Sequence, residues 1–82
     1  MDTSAVDIEI SADETMIRLG QLLKFANVVT DGAEAKSLLA AGAVRVDGET
    51  DTRRGRQVSV GSVVDIDTGN GTISLRVSHA EA

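Results

Sequence analysis

Eighty-two residues with a formal net charge of −5 leave room for one domain with a small core. The chain has no cysteine, which excludes a disulfide framework and a thiolate metal site, and Phe25 is its single aromatic residue, so stability must come from aliphatic packing. No apolar run reaches the roughly 18 residues that span a bilayer, and the acidic stretch Met1–Asp7 lacks the basic start of a secretory signal; a soluble, cytoplasmic protein is expected.

Met1 to Ala5 is expected to be disordered. Val6, Ile8 and Ile10 alternate with Asp7 and Glu9, the pattern of a strand with one wet face. Ser11-Ala-Asp-Glu14 matches a capping box, yet the apolar period becomes clean only at Leu19, so a loop is placed at Ser11–Thr15, with a strand near Met16–Ile17. Leu19, Leu22, Leu23 and Ala26 stand at i, i+3, i+4 and i+7 and predict a helix. Asn27–Thr30 is short enough to fold this helix back on the next as an antiparallel hairpin. Asp31 can cap the second helix by accepting from its unpartnered N–H groups, with Glu34 at the capping-box position. Ala35, Leu38, Leu39 and Gly42 then give one narrow apolar face, and Gly42 can close the helix in the left-handed conformation.

Val44 and Val46 alternate with Arg45 and Asp47, which is strand spacing, and Asp47-Gly48 is a strong tight-turn signal. The following Glu49–Gln57 has no apolar residue and carries Arg53, Arg54 and Arg56; it reads as a loop. Val58 and Val60 alternate, Gly61-Ser62 turns the chain, and Val63–Asp67 is a β-branched strand. Thr68-Gly-Asn-Gly71 has the residues of a tight turn into a last strand with Ile73, Leu75 and Val77 alternating. These two strands form a hairpin beside Val6–Ile10, and Ser78–Ala82 is expected to fray. The predicted fold is α+β: a two-helix hairpin packed on a small, mostly antiparallel β-sheet, in a single domain with no repeat or linker.

Taken in order, Leu19-Gly-Gln-Leu-Leu-Lys24, Ala33-Glu-Ala-Lys36, Gly42-Ala-Val-Arg-Val-Asp-Gly48, Arg53-Arg-Gly-Arg56 and Val60-Gly-Ser-Val-Val-Asp-Ile66 resemble the S4-type RNA-binding domain, and most of all its small stand-alone bacterial members of the YaaA/YbcJ type. The resemblance implies an S4-like core, the alpha-L motif, over about residues 17–66, flanked by an acidic strand region (1–16) and a C-terminal hairpin (63–77) with a short tail. It further implies RNA binding without catalysis, to structured ribosomal or transfer RNA, in a ribosome-associated or RNA-processing setting.

The charge distribution agrees with such a role despite the acidic total. Residues 1–17 hold five acids and no base, whereas residues 18–56 hold seven of the eight bases, so one face can attract phosphate while the rest repels it. Arg53, Arg54 and Arg56 are the strongest site signal, because the guanidinium fork suits phosphate oxygens; the plainer reading is a solvated loop balancing Glu49 and Asp51. Lys24 and Lys36 lie off the apolar helix faces and suit phosphate contact, against the ordinary fate of surface lysines. Lys36 also matches the family's Glu-Ala-Lys motif. Arg45 neighbours the loop and either joins the patch or pairs with a cross-strand acid. Arg18 carries less weight, since a small polar residue often stands there in the small relatives.

Catalysis finds little support. His79, the single histidine, lies in the tail expected to be mobile, and a general base needs fixed geometry. The acids are dispersed, and Gly69-Asn-Gly71 lacks the lysine and helix of a phosphate loop; neither a cofactor nor a metal is expected. Phe25 is assigned to the core or its edge, which argues against binding of single strands by stacking and for recognition of shape and phosphate by a monomer. An acidic protein-interaction module of the same fold, and a subunit that binds RNA only within a larger assembly, stay open beside this reading.

Overall fold

Period-two alternation of β-branched residues at both ends of the chain builds one sheet, and period-3.6 leucines in the middle join its apolar cluster. The computed structural model describes residues 6–79, so the expectations for residues 1–5 and 80–82 fall outside it. In chain order the elements are β1 (Val6–Ile10), β2 (Met16–Arg18), α1 (Leu19–Phe25), α2 (Gly32–Ala40), β3 (Val44–Val46), β4 (Glu49–Thr50), β5 (Gln57–Ser59), β6 (Val63–Thr68) and β7 (Gly71–His79). The main sheet runs β1-β7-β6-β3-β4, and β2 with β5 forms a separate two-stranded ribbon. Strand β1 lies parallel to β7, while the other pairings are antiparallel. The result is an α+β fold with a small mixed sheet and two helices.

The register sets the faces. Val44 lies opposite Ile66, Val46 opposite Val64, and Val64 opposite Leu75; with Ile8, Ile10 and Val77 they form the buried face. Leu19, Leu22 and Leu23 of α1, Ala35 and Leu39 of α2, and Val58 of β5 join the same apolar cluster. The opposite face is polar: Ser74 Oγ donates to Asp65 Oδ1 across the β6–β7 pair at 2.6 Å, and Arg76 Nε to Asp7 Oδ1 at 3.0 Å.

Local chemistry stops and starts the helices. Asp31 Oδ1 accepts from Glu34 N at 2.9 Å, the expected cap, while the Glu34 carboxylate reaches back to Thr30 N and Thr30 Oγ1. Both helices end in a Schellman motif. In α1, Asn27 N donates to Lys24 O and Val28 N to Leu23 O, with Asn27 at φ 61°; in α2, Gly42 N donates to Leu39 O and Ala43 N to Leu38 O, with Gly42 at φ 74°. Asn27, expected only as the start of a linker, is therefore the left-handed cap of α1. The Asp47-Gly48 turn has positive φ at both residues, 51° and 88°, the type I′ geometry that joins twisted strands.

Three local expectations need correction. Glu49–Thr50 is a short strand on β3, because the type I′ turn feeds directly into antiparallel pairing. Val60 lies beyond β5 and is exposed. Ser78 and His79 do not fray: they pair with Glu9 and Ile10, and His79 Nε2 lies within hydrogen-bond reach of the Glu14 carbonyl, tying the 11–15 loop to β7. That loop keeps the capping-box contact, Ser11 N to Glu14 Oε1, without a helix. Among the described residues no helix is long and apolar enough to cross a membrane.

Candidate nucleic-acid interface

The arginine segment runs between β4 and β5 and is clamped to the start of α1 by main-chain bonds. Leu19 N donates to Arg56 O at 2.8 Å and Gly20 N to Arg54 O at 2.9 Å. Beneath it, Arg18 lies opposite Gln57 in the β2–β5 ribbon. The segment is also folded around its own carboxylate. Asp51 is only 6% exposed and accepts from Arg53 N, Arg53 Nε and Arg53 Nη2 at 2.9, 3.0 and 2.8 Å and from Arg56 Nη1 at 2.7 Å. The Arg53 side-chain bonds, followed by its backbone N–H and by Arg56, hold the Asp51 carboxyl far below the usual carboxylate range; burial pushes the other way and is outweighed.

Arg54 is placed differently. It takes no ion pair among the described residues, and its side chain lies across the glycines of the two helices. A Cβ on Gly20 would stand 3.4 Å from Arg54 Cβ and from Arg54 O, and one on Gly32 would stand 3.3 Å from Arg54 Nη1. Glycine at these positions lets the arginine approach both backbones closely. Around it opens a groove of about 340 Å³, with Arg18, Gln21, Lys24 and Arg54 as its polar wall and Gly20 and Gly32 in its lining. Arg18 Nη1 donates to Gly55 O at 3.3 Å, which holds the guanidinium against the loop. Neither Arg18 nor Lys24 is ion-paired among the described residues. Three cations around one concavity, with small residues that let a ligand come near main chain, suit an anion with several oxygens.

The sequence profile of the S4 domain matches residues 8–74. The chain belongs to the S4 domain family. It is also 50% identical over 58 residues to the "probable ribosome maturation protein RlbA" of Bacillus subtilis (strain 168), an alignment covering 71% of this chain and 82% of that protein. The family match takes in the end of β1, both helices and the arginine segment, so the groove lies inside the S4 domain.

Within this S4 domain the residues singled out from sequence line two concavities that share Gly55, or stand outside both. Arg54 and Lys24 line the groove. Lys36 stands one turn beyond Gly32 on α2, exposed and without an ion pair among the described residues, on the flank of the groove by helical spacing. Arg53 and Arg56 line a second concavity of about 490 Å³ with Gln57 and with Gly55, which the groove shares, and both spend donors on Asp51. Arg45 is held by Asp67, with Nη1 to Oδ2 at 2.8 Å and Nη2 to Oδ1 at 3.1 Å, and does not line the groove. Hydrogen bonds from Arg45, then from Thr72, keep the Asp67 carboxyl below its ordinary range.

Sequence reading underweighted Arg18 and passed over Gly20, Gln21 and Gly32. The available signal was Gly20: a glycine inside a helical apolar pattern marks close approach by another backbone or a ligand. Phe25 needs outright correction. It is 63% exposed and belongs neither to the core nor to its edge, because it falls off the face that Leu19, Leu22, Leu23 and Ala26 turn inward.

Proposed function

We propose that this S4 domain binds structured RNA, ribosomal RNA in the first place, through phosphate and shape, that it is not an enzyme, and that it acts in ribosome maturation. The observation that carries the reading is the groove: Arg18, Lys24 and Arg54, drawn from three elements, surround one concavity in a chain whose net charge is −5. In this reading the two helices work as a hairpin against the sheet, with Arg54 laid across both. Lys36 extends the phosphate track, and Arg53, 70% exposed at its side chain, can add a contact while still holding Asp51. Arg56 sets the loop's shape, and Arg45 lends field rather than contact. The name of the Bacillus subtilis relative, half of whose aligned residues recur here, supports the ribosomal setting. A monomer in the cytoplasm is the form proposed.

Phosphate binding releases condensed counterions, so affinity must fall as salt rises, by roughly 0.7 to 0.9 in the logarithmic slope per contact. Contacts from Arg18, Lys24, Lys36 and Arg54 predict a slope of about −3 to −4 for folded ribosomal RNA fragments. Arg54→Ala should flatten it by about one unit and weaken binding, whereas Arg76→Ala, which removes a partner of Asp7 on the sheet's polar face, should leave the slope unchanged. If wild type binds no RNA at low salt, or if Arg54→Ala binds as wild type does, the groove is not a phosphate site. The acidic protein-interaction module, favoured by the neutralisation of Arg53 and Arg56 through Asp51, then takes its place.

A further inference from the structure

We infer that Phe25 is a stacking platform for one unpaired base of the bound RNA, adjoining the phosphate groove; the inference rests on the RNA-binding reading. Phe25 is the chain's only aromatic residue, and it stands 63% exposed in a protein whose core is wholly aliphatic. A domain of this size has every reason to bury its largest apolar side chain, and here the fold leaves it outside. The ring is carried by ordered backbone: Phe25 is the last residue of α1, and the Schellman motif through Asn27 and Val28 fixes the helix end directly behind it.

Its surroundings point to a base rather than to a protein. Phe25 follows Lys24 and stands one helical turn beyond Gln21, and both of these line the groove. Among the described residues the other large exposed apolar side chains, Val6, Val60 and Ile73, belong to other elements or loops, so Phe25 is not one member of an apolar stripe along α1. A ring carried on the same short helix as a lysine and an amide that line the groove suits a nucleotide, with its flat apolar base attached to a phosphate. Every base offers a π-face, so stacking tolerates any sequence. In folded RNA, however, only a nucleotide in a bulge, loop or end is free to leave its own stack. The ligand class that follows is structured RNA with an extruded nucleotide close to the phosphates held by Arg18, Lys24 and Arg54. The groove alone would bind any duplex of the right shape; Phe25 makes the protein favour one that is interrupted.

The test uses two RNA hairpins of equal length, one fully paired and one with a single bulged 2-aminopurine, each titrated with wild type, Phe25→Ala, Phe25→Trp and Phe25→Leu. Wild type should prefer the bulged hairpin by about five- to a hundredfold, the range that stacking one base on an aromatic ring gives, and should quench the 2-aminopurine. Phe25→Ala should bind both hairpins alike, with the quench lost and the salt slope unchanged, because no phosphate contact has been removed. Phe25→Trp should retain the preference. An exposed ring is not needed for folding, so all three variants should melt close to wild type. Retention of the preference by Phe25→Ala overturns the inference, as does equal weakening on both hairpins. Full activity of Phe25→Leu also overturns it, since the contact would then be apolar and not aromatic. If wild type binds neither hairpin, the RNA-binding reading itself fails, a result distinct from binding without discrimination.

Discussion

Asp51 shows how a surface-looking segment can become part of the frame. Its carboxylate is nearly out of solvent and accepts four bonds from Arg53 and Arg56. Removing both arginines leaves that carboxylate without its partners; Arg53→Ala with Arg56→Ala should therefore destabilise the fold measurably, though by less than the loss of a fully buried pair would, because Arg53 is itself largely exposed. Arg54→Ala should stay within about 0.5 kcal/mol of wild type, and adding Asp51→Asn to the double mutant should recover part of the loss, a coupling that urea denaturation can resolve. The sign of the pH effect follows from the depressed carboxyl. Its contribution is complete above the unfolded value of about 4 and is lost as pH falls from there toward the lower folded value. Wild type and Asp51→Asn should thus differ most near neutrality and converge in acid. Glu49–Gln57 has no apolar residue, so from sequence the segment looked dispensable to the fold. Burial of a carboxylate two residues from one arginine and five from another is a tertiary event that composition does not reveal.

Among the elements, those set by neighbouring residues were legible and those set by distant ones were not. Asp31, Gly42 and Asp47-Gly48 act on their own backbone, and each stands as its residue type requires. Gly48 at φ 88° allows a sharp prediction: Gly48→Val should cost about 1–3 kcal/mol for forcing a β-branched residue into the left-handed region, and Gly48→Asn clearly less. The damage should spread. Asp47 accepts from Ser62 Oγ and Val63 N at 3.0 Å each, so hydrogen exchange at Val63 should quicken in Gly48→Val. By contrast, Arg18, Gly20 and Gly32 lie on β2, α1 and α2, and nothing in the spacing of the sequence says that Arg54 crosses the two glycines. Phe25 could have been placed: α1 is a seven-residue helix with a narrow inward face, and position 25 is off it.

At the scale of the molecule, a basic groove sits on an acidic body. Among the described residues no acid pairs with the groove's cations, yet the acids set the potential through which an RNA must approach. Glu9→Gln with Asp13→Asn, both exposed, should raise affinity for a fully paired duplex by several-fold at low ionic strength. The gain should vanish near 1 M salt, where the screening length shrinks from about 10 Å to about 3 Å. A filter-binding titration of the double variant against wild type would check this, and a gain that persisted at high salt would mean that the acids act by direct contact.

The parallel pairing of β1 with β7 has a consequence in time. Val6 lies opposite Leu75 and Ile10 opposite His79, so the first strand to be synthesised has no partner until residues 75–79 exist. The local pieces, α1 with its cap, α2 with its cap and the β3–β4 turn, can form as soon as they emerge, since they close through short loops. Strand β1 must wait with Ile8 and Ile10 uncovered, and its alternating Asp7 and Glu9 keep that waiting edge charged and hard for another chain to pair with. The acidic strand is thus the first part of the sheet to be made and the last to be placed, and it guards itself in the interval.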